Sequence, residues 1–390
     1  MKLSALTRLT SMLLVAGFFY SCSTSKSSVD ELINANKYQQ ALVQVDKGLA
    51  KNPNQPELHI KKGEINALLA RTKTPAERNL FYNKVHTAFA SATALSQTNA
   101  QKNTIDSLTF SYWSLEHNSG LKEYASSKNS TISATHFKNA IIINPEEMSS
   151  YQALSTLQYE QGNIDAAIQT LTSGIDNSET VSPEFYESLG FLYLQNGDSE
   201  SAINYYELAN QEITTNENIT FGLVNAYISV GDTEKALELL PTLVENHPKN
   251  PVLRNVYGVE LYKLSVNVMN DLIHAYQQND IEQTAHYKLE AEAISEQAED
   301  ELIEAYKLDS ENYEFIESLA VFYNNMTAKY FEAADVAFPQ DTSVLEQKAL
   351  TLLDFAITYY GDLAKLDSHN DDLSKTVARL NALKENRSKK

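Results

Sequence analysis

The sequence has very little cysteine and too few basic residues to balance its acids. Its single cysteine, Cys22, cannot form a disulfide within one chain, so stability must come from packed apolar faces. The chain carries 31 Lys and Arg against 51 Asp and Glu, which gives a formal net charge of −20. Because binding to phosphate requires clustered Lys and Arg, this composition argues against a nucleic-acid partner.

Sequence patterns of catalysis are also missing. There is no Gly-rich phosphate loop, no His-Glu-x-x-His helix and no Gly-x-Ser-x-Gly elbow. No two of the eight histidines are spaced one helical turn apart, as paired metal ligands on a helix would be. Ser23-x-x-Lys26 matches a fragment of a serine-acylase motif without its companion motifs, so we attribute it to chance. We predict no enzyme activity, no cofactor and no metal. An enzyme with an unrecognised site stays as an alternative, ranked third after the two functions given at the end of this subsection.

The first 21 residues have the composition of a secretory signal. They contain two basic residues, no acid, and an apolar run over residues 9–20 that is too short to span a bilayer. Cys22 follows this run and precedes a Ser-rich stretch. The arrangement resembles a bacterial lipoprotein signal, which implies a signal peptide at residues 1–21, lipid attachment at Cys22 and a tether at residues 22–28.

Two positions depart from the lipoprotein pattern, which prefers Leu three residues before the cysteine and a small residue two before it. Here those places hold Phe19 and Tyr20. Cleavage by the ordinary signal peptidase, which would leave a soluble periplasmic or secreted protein, is therefore the alternative. The leading prediction is a protein of the bacterial cell envelope, lipid-anchored at the outer membrane and facing the periplasm, with the lipid as its sole membrane contact.

Three segments in the middle of the chain can be aligned at spacings of 35 and 34 residues. The aligned columns are Leu154, Leu189 and Leu223; Gly162, Gly197 and Gly231; Ala167, Ala202 and Ala236; and Leu171, Tyr206 and Leu240. A period in this range is typical of repeat arrays, in which each unit buries its apolar face only by stacking on its neighbours.

The middle segment indicates how each repeat forms a pair of helices. Leu189 and Tyr193 lie four residues apart on one face of a first helix, and Gly190 leaves room for a second helix. Gly197 then permits a turn that side chains resist, and Asp198 can cap the second helix. This pattern resembles the tetratricopeptide repeat (TPR).

The resemblance implies an all-α fold, a TPR-like α-solenoid of about eight helical hairpins. No linker rich in Pro, Gly or Ser interrupts the chain after Ser28, so we predict one domain over residues 29–390. The clearest repeats cover residues 148–250.

The last two hairpins, at residues 251–312 and 313–368, are predicted to be elongated. In ordinary repeats the small residue of the first helix precedes the alanine of the second by 12 residues, but Gly258 and Ala298 are 40 apart. In the next hairpin the corresponding residues, Ala320 and Ala349, are 29 residues apart. The first long hairpin is expected to turn at Asn279 and Asp280, and the apolar spacing of its second arm runs through Ile281, Ala285, Leu289 and Ile294.

A C-terminal capping helix is predicted at residues 371–386. Asp371 or Asp372 can cap its first turn, and the helix would cover the end of the stack. The segment from His369 to Asp372 could instead contact a cation, but helix capping explains the same residues.

First helices of TPR proteins line a concave groove, and positions one place off the packing face would point into it. The predicted groove residues are Gln152, Tyr159, Glu187, Phe191, Phe221, Asn225, Ile228, Asn255, Val259 and Tyr262. These residues include no Lys or Arg, so the paired basic residues of the carboxylate-clamp subtype are missing. The resemblance implies binding of an extended or helical protein segment of neutral or basic character. A groove that only stacks on a neighbouring protein, or is unused, is the alternative.

Two functions of different class fit these features. The first is a non-catalytic, membrane-anchored TPR scaffold for protein–protein interactions in an envelope assembly or secretion complex, with the groove and the long C-terminal hairpins as contact surfaces. The second is an outer-membrane carbohydrate-binding lipoprotein on a TPR-like scaffold. Such proteins place sugar-stacking aromatics on long loops, which this chain lacks apart from its one tryptophan, Trp113. We therefore favour the scaffold.

Overall fold

The structure is a computed structural model that describes residues 28–212 and 216–389. For residues 211 and 212 it describes the backbone alone. The predicted signal peptide, the lipid attachment site Cys22 and all of the tether except Ser28 lie outside the described residues.

All regular secondary structure in these two ranges is helical. The α-helices are α1 (residues 28–34), α2 (Tyr38–Lys51), α3 (Pro56–Arg71), α4 (Asn79–Leu95), α5 (Asn99–Ser127), α6 (Ser130–Ile143), α7 (Met148–Glu160), α8 (Ile164–Asn177), α9 (Pro183–Gln195), α10 (Ser199–Glu212), α11 (Glu217–Val230), α12 (Thr233–Asn246), α13 (Pro251–Gln278), α14 (Ile281–Leu308), α15 (Tyr313–Val336), α16 (Pro339–Leu366) and α17 (Asp371–Arg387), with a 3-10 turn at Pro75–Glu77. Over the described residues these are seventeen α-helices and no strand, which confirms the predicted all-α class.

The chain divides into two compact units, unit 1 (Met1–Asn196) and unit 2 (Gly197–Lys390). The single domain expected over residues 29–390 stays a prediction. Over the ranges that the structure describes, no helix has both the length and the apolar character needed to cross a membrane.

Helix pairs in unit 1 approach closely where one helix carries glycine. A Cβ added at Gly63 of α3 would lie 2.2 Å from the ring of Phe89 on α4. A Cβ at Gly120 of α5 would lie 2.7 Å from the ring of Phe137 on α6. Both rings are buried, so the glycine positions let α3 pack on α4, and α5 on α6, with ring against backbone.

Helices in unit 2 show how cap and apolar spacing act together. The side chain of Asp232 accepts a hydrogen bond from the backbone N–H of Lys235 at 3.2 Å and so caps α12. One turn later begins a buried stripe of Ala236, Leu240 and Leu243. The stripe packs α12 against α11, as the repeat pattern predicts.

The last two helix pairs are elongated, as predicted. Helices α13, α14 and α16 have 28 residues each and α15 has 24, whereas α7 to α12 have 13 or 14. The turn between α13 and α14 falls at the predicted place: Asn279 is left-handed with φ of 56°, and Asp280 caps α14. The 29-residue length of α5 was not predicted.

The structure adds two details to the predicted last helices, of which the second is a correction. Ile281 and Leu289 do not face the core of their hairpin, because α14 packs through Thr284, Ala291 and other small residues instead. The N-cap of α17 is Asn370, whose side chain accepts from the N–H of Asp372 at 3.2 Å, and not Asp371 or Asp372.

Candidate functional site

Four of the predicted groove residues lie on α7 and α9 of unit 1, and the contacts between these helices include Gln152, Tyr159 and Phe191. Gln152 donates from Nε2 to Oγ of Ser188 at 3.4 Å. The rings of Tyr159 and Phe191 meet edge to face with centroids 5.2 Å apart. The fourth residue, Glu187, is half-buried on α9. The first helices of neighbouring pairs therefore present amide and aromatic groups side by side.

The Tyr159–Phe191 pair is open to solvent. Phe191 is 39% exposed, whereas the neighbouring Leu189 and Leu192 on α9 are buried and hold the helix in the unit. Tyr159 is half-buried. A partly exposed phenyl ring beside a second aromatic ring is a candidate contact surface for another molecule.

Three groove residues lie on α11 of unit 2, and one of them, Phe221, packs near a ring at the end of α12. Phe221 is half-buried, and its ring lies 5.8 Å from the ring of His247 at the end of α12. His247 Nε2 in turn lies 3.0 Å from Oε2 of Glu217. Asn225 is exposed and Ile228 is half-buried. Phe221 is therefore a half-buried ring that packs near the end of α12.

The last three predicted groove residues lie on α13. Asn255 is only 3% exposed, so its side chain lies inside unit 2 and the prediction that it lines an open surface is wrong. Val259 and Tyr262 are half-buried. The hydroxyl of Tyr262 accepts from Nδ2 of Asn325 at 2.6 Å, and its ring meets Phe322 edge to face at 5.8 Å. Tyr262 therefore also holds α13 to α15.

A buried polar centre in unit 1 was not predicted. Glu116 of α5 is 0% exposed, and both carboxylate oxygens are occupied. Oε1 accepts from Nη1 of Arg78 at 2.8 Å and from the hydroxyl of Tyr82 at 2.7 Å. Oε2 lies 2.7 Å from Nδ1 of His136 and 3.4 Å from Nδ2 of Asn139. The centre joins α4, α5 and α6 through one carboxylate.

Hydrogen bonding dominates the ionisation of this centre. Burial raises the pKa of Glu116, but hydrogen bonds from His136, Tyr82 and Arg78 outweigh burial and hold that pKa below its ordinary value. Burial, and then the neighbouring Glu116 carboxylate, raise the pKa of Tyr82. Because no carboxylate oxygen is accessible, the centre acts on stability and not on a ligand.

A second polar group in unit 1 contains a serine and a histidine at hydrogen-bonding distance. Oγ of Ser150 accepts from Nε1 of Trp113 at 2.9 Å and lies 3.0 Å from Nδ1 of His117. Burial lowers the pKa of His117, and Glu147 opposes that effect. Ser150 is 0% exposed and bonded to both rings, so no substrate can reach its oxygen.

The acidic start of α17 is explained by local bonds. Asn370 caps the helix, and Oδ1 of Asp372 pairs with Nζ of Lys375 at 2.8 Å. Within residues 28–212 and 216–389, no three His, Cys, Asp or Glu side chains are arranged to hold a metal ion.

Comparison with protein families gives one match. Residues 193–258 match the family model of the tetratricopeptide repeat. This segment contains two of the three aligned repeats, at least in part, and confirms that the chain carries TPR sequence. No curated protein matches the chain.

Solved structures with similar folds are distant. YrrB, a TPR protein with an unusual peptide-binding site, is 17% identical over 61% of this chain and 99% of its own, with a TM-score of 0.41. A MamA fragment from Desulfovibrio magneticus RS-1 is 12% identical over 57% of this chain and 95% of its own, with a TM-score of 0.37. PilW, a widely conserved type IV pilus biogenesis factor, is 14% identical over 61% of this chain and 98% of its own, with a TM-score of 0.33. At these values the likenesses carry no argument about partner or activity.

Proposed function

Starting from a chain that carries tetratricopeptide repeats in an all-α series of helix pairs, we propose that the protein is a non-catalytic scaffold for protein–protein interactions in the bacterial cell envelope. Its anchor would be a lipid on Cys22, at the end of the predicted signal peptide. The open aromatic pair Tyr159–Phe191 on neighbouring first helices is the observation that carries the binding part of this proposal.

The chemistry of the predicted groove favours a neutral or basic partner segment. Its polar members are Gln152, Glu187 and Asn225, which can accept hydrogen bonds, and its open rings can cover apolar side chains or a peptide backbone. None of the ten predicted groove residues is basic. An extended or helical protein segment with amide or basic groups complements these acceptors better than an acidic segment would.

Carbohydrate binding is the less favoured candidate. The one tryptophan, Trp113, is 8% exposed and its Nε1 is bonded to Ser150. A ring in this position cannot stack on a sugar. No other feature of the described residues favours this candidate.

Capture of envelope proteins tests the groove. The mature protein and its Phe191→Ala variant would be used as baits with solubilised envelopes, and captured proteins quantified by mass spectrometry. Loss of a central interface ring should weaken capture by about 2 kcal/mol, roughly 30-fold. Phe110→Ala is the matched control, because Phe110 is 57% exposed on α5, outside the predicted groove and outside the long C-terminal hairpins. Unchanged capture by a folded Phe191→Ala protein would place binding elsewhere.

Labelling with a radioactive fatty acid tests the anchor. Wild-type protein should take up label and sediment with membranes, while Cys22→Ser should remain unlabelled and be released or misprocessed. Wild-type protein that sediments with membranes without label would contradict lipidation at Cys22.

A further inference from the structure

The outward side of α14 carries an apolar stripe that nothing in the described chain covers. Ile281 is 75% exposed and Leu289 is 71% exposed, the two highest values among large apolar side chains of the described residues. Ala285 and Ala293, also exposed, continue the series at a spacing of four. These four residues are called the α14 stripe.

The α14 stripe is not the face by which the helix is held in unit 2. That face consists of buried small residues and one leucine, namely Thr284, Ala291, Ser295, Ala298, Leu302 and Ala305. Helix α14 therefore already packs along its length against α13, and the stripe is a second apolar face. Two such exposed side chains, eight residues apart on one helix, differ from the singly scattered apolar residues of ordinary surfaces.

Negative charge outweighs positive charge on α14, the helix that carries the α14 stripe. Helix α14 carries eight Asp and Glu and only two Lys. Both lysines are paired, Lys288 with Asp341 at 2.7 Å and Lys307 with Glu304 at 2.6 Å. The carboxylates of Glu282, Glu292 and Glu296 are exposed on the same helix. A partner that covers the stripe binds more favourably if its own apolar face is bordered by cations, because these would lie opposite the carboxylates.

The spacing of the α14 stripe suits a helix. Residues at i, i+4, i+8 and i+12 form one of the ridges by which helices pack at a crossing angle of about 50°. From Ile281 to Ala293 the ridge rises about 18 Å, at 1.5 Å per residue. This length matches roughly three turns of a partner helix.

We propose that the α14 stripe binds an amphipathic helix of another protein, with an apolar face bordered by Lys or Arg. The inference rests on the proposed scaffold function and names a partner chemistry for it. A second copy of this chain does not fit, because a symmetric contact would set the same carboxylates against one another. Anionic membrane is disfavoured for the same reason.

Fluorescence anisotropy with the full mature protein tests this proposal. The probe is a labelled helical peptide of about 18 residues with leucines on one face and lysines on its borders. A peptide of the same composition in scrambled order serves as the second probe. The amphipathic peptide should bind at least about tenfold more tightly than the scrambled one, and Ile281→Ser/Leu289→Ser should remove that difference.

A matched variant keeps the test specific. Leu80→Ser/Val252→Ser removes two apolar side chains that are 67% and 57% exposed on other helices, and it should bind the peptide like wild type. Equal weakening by both double variants would overturn the proposal, as would equal binding of the two peptides. Self-association of the wild type that Ile281→Ser/Leu289→Ser abolishes would show that a second copy covers the stripe, which also overturns it.

Failure here is distinguishable from failure of the scaffold proposal. Phe191→Ala should bind the peptide normally, because Phe191 lies on α9 in unit 1. If the stripe variant loses peptide binding but the wild-type protein captures no envelope partner, the α14 stripe stands and the scaffold function falls. If only Phe191→Ala loses partners and the stripe variant binds the peptide as before, the reverse holds.

Discussion

Gly222 of α11 faces the buried ring of Tyr206 on α10, and a methyl group added at Gly222 would lie 2.2 Å from Cζ of that ring. Gly222→Ala should therefore overpack the contact and lower the free energy of unfolding by about 1–3 kcal/mol. This loss exceeds the gain of about 0.5–1 kcal/mol that alanine brings to a helix interior. Urea unfolding followed by circular dichroism measures the difference.

Gly361 of α16 is the control for that substitution. A Cβ added there meets no atom within 4 Å, so Gly361→Ala should keep the gain in helix propensity and raise stability. Equal effects of the two substitutions would contradict the described contact between α10 and α11.

Glu116 joins four side chains in the buried polar centre of unit 1. Glu116→Gln would remove the anion that Arg78 and His136 contact. It would also place an N–H donor of the new amide against side chains that themselves donate. Breaking a buried pair in this way costs about 3–5 kcal/mol. Glu146→Gln, at an exposed site, should leave the unfolding midpoint in urea unchanged.

The same residue predicts a pH dependence. Because the pKa of Glu116 is lower in the folded protein than its ordinary value of 4.5, its ionised form favours folding. That stability is complete above about pH 4.5 and is lost as the pH falls through the folded pKa. Between about pH 6 and pH 3.5, wild type should lose more stability than Glu116→Gln. Parallel losses would mean that Glu116 is not ionised in the folded protein.

At the scale of elements, the long hairpin of α13 and α14 depends on a cap at its turn. Oδ1 of Asp280 accepts from the N–H of Gln283 at 3.0 Å, directly after left-handed Asn279. Asp280→Ala should cost about 1 kcal/mol, and Asp280→Asn, which also caps well, should cost much less. Thermal unfolding of the three proteins measures this order; equal melting temperatures would show that the turn holds without its cap.

The helix pairs were predictable wherever buried positions were apolar and regularly spaced. Helix α12 is such a case, with Ala236, Leu240 and Leu243 inward. Helix α5 is the opposite case: two of its four buried positions are Glu116 and Gly120, so its inward face does not read as apolar. Its length and its polar centre depend on partners 20 to 38 residues away, which a local pattern does not contain.

The candidate surfaces were predictable only as helix faces. Repeat register put Tyr159 and Phe191 on the accessible side of neighbouring first helices. It also put Asn255 on that side, but Asn255 is buried. Apolar spacing found Ile281 and Leu289 as part of a helix, but it did not show that they lie outside the packed face of α14. A helix with two apolar faces looks the same in sequence whichever face packs, and here small residues such as Ala291 and Ala298 fit against α13.

For the whole molecule, charge sets the response to salt. Asp and Glu outnumber Lys and Arg by 20, so repulsion among acids opposes the compact state. The melting temperature should rise by a few degrees from about 10 mM to about 300 mM NaCl, as the screening length falls from about 30 Å to below 8 Å. Exposed ion pairs, worth at most about 1 kcal/mol each, oppose this only weakly. Potassium chloride should act equally, and a fall in melting temperature would contradict the repulsion.

The buried indole of Trp113 also gives the protein an internal reporter. It is the sole tryptophan of the sequence, it lies in unit 1 against His117, and unit 2 contains none. Emission excited at the red edge of indole absorption therefore follows unit 1 alone, while far-ultraviolet dichroism follows the helices of both units. Comparing the two signals during one denaturant titration would reveal, without any label, whether the units melt together or one after the other.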